Sequence, residues 1–180
     1  MQLLDAPAAK EMFDTLFNSS RRTMFKAEVL QDYSVIDDSP SLRAWASGDT
    51  SLARKLAAID EDIIAWRNRC LASPAAITRV HIVEEPLTTY LEWEIAVTYR
   101  ESLLRYEAED VRLVAARELN GLAIPDGDFW IFDDAQVLEW IYDTSGVMAG
   151  AKVWSSGEDI AGFLELKKIL LAQAEPVPRG

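Results

Sequence analysis

The chain holds a single imidazole. His81 sits in the β-branched run Thr78–Val83, between Val80 and Ile82. On a strand it points away from both neighbours. A lone histidine can serve as a general base or contact a ligand, but on a strand of this composition the expected role is a partly buried histidine on the sheet face. Mechanisms that need two imidazoles have no second one to draw on. Cys70, the single cysteine, falls in a helical stretch and reads as a core or surface thiol.

Carboxylates supply the other candidate chemistry. Glu84, Glu85, Asp133 and Asp134 lie at the ends of apolar runs. Ligands of open α/β sheets bind outside the carboxyl ends of strands, so these groups could converge on a metal with His81. No spacing enforces that, and no metal ligand is assigned. Asp133-Asp134 separates the runs Phe129–Phe132 and Val137–Tyr142, a place where Asp side chains cap their own turn. Glu85, Tyr90 and Glu94 follow one another at intervals of five and four. Tyr90 and Glu94 then share a helix face. With Arg79 or Arg112 they either line a pocket or form an internal ion-pair network, the network being the expectation. The ligand- or partner-binding candidates are therefore Arg79, Glu85, Tyr90, Glu94, Arg112, Asp133 and Asp134. No catalytic residue and no cofactor is assigned.

Hydrophobic periodicity outlines the elements that must position these groups. Asp5-Ala6-Pro7 opens a helix, which Met12, Phe13, Leu16 and Phe17 continue to Asn18-Ser19-Ser20. Thr23 to Tyr33 reads as a strand. Asp37-Asp38-Ser39-Pro40 is a turn into a short helix, Ser41–Ser47. Leu52, Leu56, Ile59, Ile63, Ile64 and Trp66 form the stripe of one long helix ending near Ser73-Pro74. Then come a strand at Thr78–Val83, a helix from Pro86-Thr88 with Leu87, Leu91, Ile95, Tyr99 and Leu103 on one face, and a strand at Asp110–Ala115. The strands Phe129–Phe132, Val137–Tyr142 and Val147–Ser155 follow, the last two as a hairpin. A final helix begins at Gly157, and residues 174–180 form a frayed tail. Of the six tryptophans, Trp140 and Trp154 lie on the two arms of the hairpin and could form one exposed aromatic patch.

A β-α-β unit feeding a meander implies an α/β fold, a mixed sheet with flanking helices. At 180 residues the expectation is a single domain: a mainly helical N-terminal region with one strand (1–77), an α/β part (78–172) and the tail. The net charge is −12. Nucleic-acid binding draws on phosphate neutralisation by Lys and Arg, so direct binding is not expected and a basic protein partner fits better. No apolar stretch reaches the 18 residues of a membrane span. The first ten residues lack a basic n-region and an apolar h-region. A cytoplasmic protein is expected. Oligomeric state is left open.

Several motifs in order carry a resemblance: Arg79-Val80-His81-Ile82-Val83-Glu84-Glu85-Pro86-Leu87, Tyr90-Leu91-Glu92-Trp93-Glu94, Glu109-Asp110-Val111-Arg112-Leu113 and Asp128-Phe129-Trp130-Ile131-Phe132-Asp133-Asp134. Thr23–Glu28 and Trp45–Asp49 fit as well. Over residues 12–172 the chain resembles an uncharacterised family of small actinobacterial proteins, often found beside helix-turn-helix regulators. A more remote resemblance is to the phospholipase D-like fold, in which a strand carries His-x-Lys, then an Asp and a returning strand. In that register the His position falls on Asp126 and the Lys position on Asp128, and neither can act as the nucleophile or acid. This remote resemblance implies the fold without its chemistry. From the lack of a catalytic constellation, the acidic charge and the family resemblance, the expectation is a non-enzymatic protein- or small-ligand-binding module, a regulatory partner of a helix-turn-helix factor. The alternative is a metal-dependent hydrolase or phosphodiesterase using strand-end carboxylates. In the same register Asp126 and Asp128 should tolerate substitution if they are exposed at the strand start.

Overall fold

The computed structural model describes residues 1–33, 39–155 and 157–178, apart from the side chain of Glu158. Asp37 and Asp38 of the expected turn lie outside them. The architecture is one mixed eight-stranded sheet with helices on both faces.

The sheet runs β1 (Gln2–Asp5), β7 (Met148–Trp154), β6 (Gln136–Tyr142), β5 (Phe129–Phe132), β2 (Thr23–Glu28), β3 (Ala76–Val83), β4 (Asp110–Ala115) and β8 (Glu175–Pro176). The centre, β2-β3-β4, is parallel, and every other pairing is antiparallel. Parallel strands need long crossovers. The β2–β3 crossover contains α2 (Pro40–Ala46), α3 (Thr50–Ala57) and α4 (Glu61–Ala72). The β3–β4 crossover contains α5 (Thr89–Trp93), which runs straight into a π-helix (Glu94–Leu104). Between β1 and β2 lies α1 (Ala6–Ser19), capped by Asp5, whose Oδ1 accepts the Ala8 N–H at 3.0 Å. Between β7 and β8 lies α6 (Gly157–Gln173).

The expected long helix is two. Asp60 interrupts it, because its Oδ1 accepts the N–H groups of Asp62 and Ile63 and so starts α4 afresh. The apolar stripe runs across the break, which is why periodicity reads it as continuous. Residues 174–177 of the expected tail are not frayed. Glu175–Pro176 pairs with β4, the Val177 N–H donates to Val111 O at 3.0 Å, and the Val177 side chain is buried. Two short edge strands, β1 and β8, were not expected, being too short for an alternating pattern to register. The N-terminal region contributes β1 and β2 to the same sheet as the rest, so the sheet spans the boundary drawn at residue 77.

Alternation along the strands separates the two faces. Phe25, Val80, Val114, Phe129, Ile131 and Val137 pack under α6. Met24, Ile77, Val111, Trp130, Phe132 and Leu138 pack under α1, α4 and the π-helix. Trp140 belongs to this second face, against Phe13 of α1, whereas Trp154 packs on Phe163 of α6. The two tryptophans therefore form no common patch. Trp154 pairs across the hairpin with Val137, and Val137 is three residues from Trp140, an odd spacing that puts them on opposite faces.

Candidate functional site: a polar network under an aromatic pocket

On the α1 side of the sheet, β2 and β3 each interrupt their apolar alternation twice. Lys26 and Glu28 do so on β2, Arg79 and His81 on β3. The parallel register sets Lys26 beside Arg79 and Glu28 beside His81. Four charged or ionisable groups thus share one patch of an otherwise apolar face. Glu28, Arg79 and His81 are all at least 95% buried, so each needs a partner.

They find them in one another. Arg79 donates through Nε and NH2 to both oxygens of Glu109, at 2.7 and 2.9 Å, and through NH1 to Glu28 at 2.7 Å. Lys26 pairs with the same Glu28 oxygen, Oε1, and its ammonium lies over the Trp130 ring. Tyr99 from the π-helix donates its hydroxyl to Glu28 Oε2 at 2.6 Å. Burial opposes the Glu28 charge, but Arg79, Lys26 and His81 outweigh it and hold the carboxyl well below its ordinary range. Burial likewise opposes the Arg79 charge, and Glu109 and Glu28 overcome it. Glu109 also accepts from Trp66 Nε1 at 2.7 Å and receives the Cys70 thiol at 3.5 Å.

His81 has no exposed surface. Its Nε2 is 2.9 Å from Leu30 O, an acceptor only, so Nε2 carries a proton. Its Nδ1 is 2.8 Å from the Tyr99 hydroxyl. That hydroxyl's proton is directed at Glu28, so Nδ1 must also donate, and the ring is an imidazolium. Burial pushes its pKa down, but hydrogen bonding and charge from Glu28, then Glu94, raise it overall.

Glu94, the first residue of the π-helix, is the under-satisfied member. Its Oε1 has a long 3.5 Å contact from the Tyr90 hydroxyl, and its Oε2 has no hydrogen bond, although His81 Nδ1 is 3.5 Å away. Burial and the neighbouring Glu28 push its carboxyl up to about 7, against the pull of His81, Arg79 and Lys26. The π-helix matters here. Its i→i+5 bonding places residues four to five apart on one face, and Glu94, Thr98 and Leu103 all line the same cavity.

That cavity, of about 370 Å³, opens above the network. Phe13, Trp66, Trp130, Trp140, Tyr33, Tyr90 and Tyr142 supply aromatic walls, and Lys26, Glu28, Arg79, Glu94 and Asp128 a polar floor. Asp128, entering β5, is 1% exposed. Its Oδ1 accepts the Val29 N–H at 2.8 Å, and its Oδ2 accepts the hydroxyls of Tyr33 at 2.6 Å and Tyr142 at 2.9 Å. The condition for tolerance, exposure, is thus met by Asp126 alone. Gly127 between them packs against β6, where a Cβ would meet Trp140 O at 2.0 Å.

Of the sequence candidates, Arg79, Tyr90 and Glu94 line this pocket. The others lie elsewhere. Glu85 is exposed and paired with Arg117 beyond the carboxyl end of β3. Arg112 points to the opposite face, bonded to Asp110 at 2.9 Å. Asp133 Oδ1 accepts the N–H groups of Arg22 and Thr23, and its Oδ2 that of Arg21, at the amino end of β2. Asp134 pairs with Lys167 of α6 at 2.6 Å. Both aspartates have positive φ, 51° and 56°, and Ala135 N–H closes the turn on Phe132 O. They are turn formers of the primed hairpin type. The Glu85, Asp133 and Asp134 carboxylates therefore sit at opposite ends of the sheet. They cannot form the metal set considered from sequence, since six residues of strand span about 20 Å.

A different set lies close together. One ligand atom each from Glu28, His81 and Glu94 falls within 4.8 Å of the other two. A metal-bound imidazole must present a lone pair, and His81 has both nitrogens committed as donors. Lys26 and Arg79 already neutralise Glu28. The arrangement holds a proton where a metal would need a vacant nitrogen. The sequence candidates missed Lys26, Glu28, Tyr33, Tyr99, Glu109, Asp128 and Tyr142. The signal that could have found the first two is the i, i+2 pairing of charges inside an apolar strand.

No described helix is long and apolar enough to cross a membrane. A search of the curated proteins finds none similar in sequence. Among solved structures, the chain is similar to Nuc, a phospholipase D family member from Salmonella typhimurium. The TM-score is 0.53 at 13% identity, covering 99% of this chain and 97% of that one. Lower similarity extends to NucT from Helicobacter pylori (TM-score 0.46, 13% identity, 97% of each chain). It also extends to the archaeal chromatin protein TrmBL2 (0.47, 13% identity, 97% of this chain and 52% of that one). The likeness to Nuc establishes a phospholipase D-like fold. Residues 11–179 match the model of the domain of unknown function DUF6879, and the chain belongs to that family.

Proposed function

We propose that this protein is a small-ligand-binding module on a phospholipase D-like fold, without phosphodiesterase chemistry. The observation that carries the reading is the aromatic-walled pocket over a buried polar network in which one carboxylate oxygen, Glu94 Oε2, accepts no hydrogen bond. Pockets of a few hundred Å³ with aromatic walls and a few convergent polar groups are the usual form of a small-molecule site. The non-enzymatic half rests on His81. The chain's one imidazole is fully buried with both nitrogens bonded, so it has no lone pair for attack on phosphorus. In the register that places Asp133 at the motif's Asp, the His and Lys positions fall on Asp126 and Asp128, and Asp128 binds two tyrosines. Pairing two copies of the chain would not supply an accessible histidine. The acidic surface adds a second element to the proposal, a basic protein partner such as a helix-turn-helix regulator.

The test has two arms. A generic phosphodiester incubated with nuclease-free protein is expected to remain intact, with and without divalent metal. A thermal-shift screen of small molecules is expected to yield ligands that raise Tm and lose their effect in Trp140→Leu. Hydrolysis by the wild-type protein that persists through repurification would overturn the reading. So would ligands whose binding ignores the pocket walls. Co-purification across a range of salt tests the protein partner.

A further inference from the structure

We propose that the pocket takes a small organic cation bearing N–H donors, a primary ammonium or a guanidinium on an apolar body, seated on Glu94 between the tryptophan and tyrosine walls. This rests on the ligand-binding reading above.

Three observations converge. First, Glu94 is the carboxyl at the pocket with a buried oxygen that accepts no hydrogen bond, His81 being its one nearby cationic charge, at 3.5 Å, among the described residues. Lys26 and Arg79 are drawn to Glu28, and Arg79 also to Glu109. Asp128 is occupied by two tyrosine hydroxyls and a backbone N–H. His81 Nδ1 bonds Tyr99 and only approaches Glu94. The buried Oε2 of Glu94 is left with no hydrogen bond, and Thr98 Oγ1, one turn on, is likewise unpartnered among the described residues. A buried carboxylate without donors is costly, and an ammonium or guanidinium supplies donors and charge together.

Second, the walls suit a cation. Trp130, Trp140, Trp66 and Tyr142 present rings whose faces attract positive charge. The protein uses that attraction itself, since Lys26 rides over Trp130 at 5.6 Å. Third, the local charge disfavours the alternatives. Three basic side chains (Lys26, Arg79, His81) meet four carboxyl groups (Glu28, Glu94, Glu109, Asp128), leaving no cation for an anionic ligand. A quaternary ammonium would fit the walls but offers Glu94 no N–H.

A linkage follows from the geometry. The groups facing Glu94 are Lys26 and Glu28 from β2, Tyr33 after it, Arg79 and His81 from β3, Tyr90 from α5, Tyr99 from the π-helix, Asp128 from β5 and Tyr142 from β6. Burial and the neighbouring Glu28 push the Glu94 carboxyl up to about 7, so near neutral pH it is readily protonated. A cationic ligand displaces that proton, so its binding strengthens as pH rises through this range.

The experiment is calorimetric titration with phenethylamine and benzylguanidine, beside 2-phenylethanol, phenylacetate and trimethyl(phenethyl)ammonium. Zinc and manganese salts are titrated separately. The two N–H cations are expected to bind at millimolar or lower concentration and about tenfold more tightly at about pH 8 than at about pH 6. Glu94→Gln, isosteric and neutral, is expected to lower their affinity at least about tenfold and to abolish the pH dependence. Trp140→Leu, at a partly buried wall residue, should weaken every ligand of the pocket. If the neutral, anionic or quaternary probe binds as well as the amines and remains sensitive to Trp140→Leu, the cation proposal falls while the ligand-binding reading survives. If a divalent metal binds and Glu94→Gln abolishes it, the proposal also falls. If no cation binds at millimolar concentration, or binding is unchanged in Glu94→Gln, it is overturned.

Discussion

Tyr99 holds His81 as an imidazolium. Its hydroxyl lies 2.8 Å from His81 Nδ1 and 2.6 Å from Glu28 Oε2. With its own proton committed to the carboxylate, the hydroxyl can only accept from the ring. A tyrosine thus relays the Glu28 charge to a histidine whose Nδ1 lies 3.4 Å from that carboxylate. The fold thus favours the charged ring: against the opposing effect of burial, hydrogen bonding and charge from Glu28 raise its pKa above the ordinary imidazole value.

Stability should therefore peak on the acid side of neutrality. His81 has a raised pKa, so its contribution is full below its unfolded value of about 6.5 and is lost as pH rises through the higher folded value. Glu94, raised to about 7, binds a proton more tightly when folded, so stability falls between its ordinary carboxyl range and about 7. Glu28 is depressed, so its contribution is present above about 4.5 and lost as pH falls further. Thermal denaturation should give a higher Tm at about pH 6 than at about pH 8, and Glu94→Gln should reduce the difference. A Tm that is level or rising over that interval would refute the assignment.

Asp126 and Asp128 should respond oppositely to the same treatment. Asp126→His alters an exposed side chain and should shift stability by no more than about 0.5 kcal/mol. Asp128→Lys buries a cation and strands the Tyr33 and Tyr142 hydroxyls and the Val29 N–H, a loss of about 3 kcal/mol or more. Chemical denaturation of the two single variants separates these outcomes, and equal effects would contradict the network drawn around Asp128.

Gly127→Ala should be severe for a steric reason. The added Cβ would lie 2.0 Å from Trp140 O, so β5 and β6 must separate where Trp140 N–H donates to Asp128 O at 2.8 Å. Loss of stability should come with loss of near-UV tryptophan dichroism from the pocket. An alanine variant with wild-type Tm and spectrum would show that the strands do not pack this closely.

Cys70 should be inert until the protein unfolds. Its thiol is buried, and burial followed by the Glu109 charge pushes its pKa well above the ordinary range. Labelling by an aromatic disulfide reagent should follow the unfolding rate. Rapid stoichiometric labelling of the native protein would disprove this environment.

Removing Arg79 should cost more than removing any exposed ion pair. Arg79→Met leaves Glu109 with two lost donors and Glu28 with one, all in the interior. Breaking a buried pair from one side costs about 3–5 kcal/mol. Arg105→Met removes an exposed pair with Glu101 and should cost well under about 1 kcal/mol. Comparable losses for the two would argue against the buried network.

The chain's local patterns determined most of the elements. Alternation marked Thr23–Tyr33, of which only Thr23–Glu28 forms the strand, together with Thr78–Val83 and Phe129–Phe132, and Asp133-Asp134 as the turn between returning strands, because period and turn chemistry are local properties. The helix break at Asp60 and the edge strands β1 and β8 escaped, since a cap inside an apolar stripe and strands of two to four residues leave little periodic trace. For the site, local spacing placed Tyr90 with Glu94 but could not place Arg79 apart from Arg112, because facing depends on which strands neighbour each other. Only the tertiary structure set Glu28 beside His81, through a parallel register that joins residues 53 positions apart. It likewise turned Asp128 inward onto Tyr33 and Tyr142. Periodicity tells which way a side chain points. What it meets there is decided by strand order and crossover, which bring together residues that carry no mark of each other in the chain.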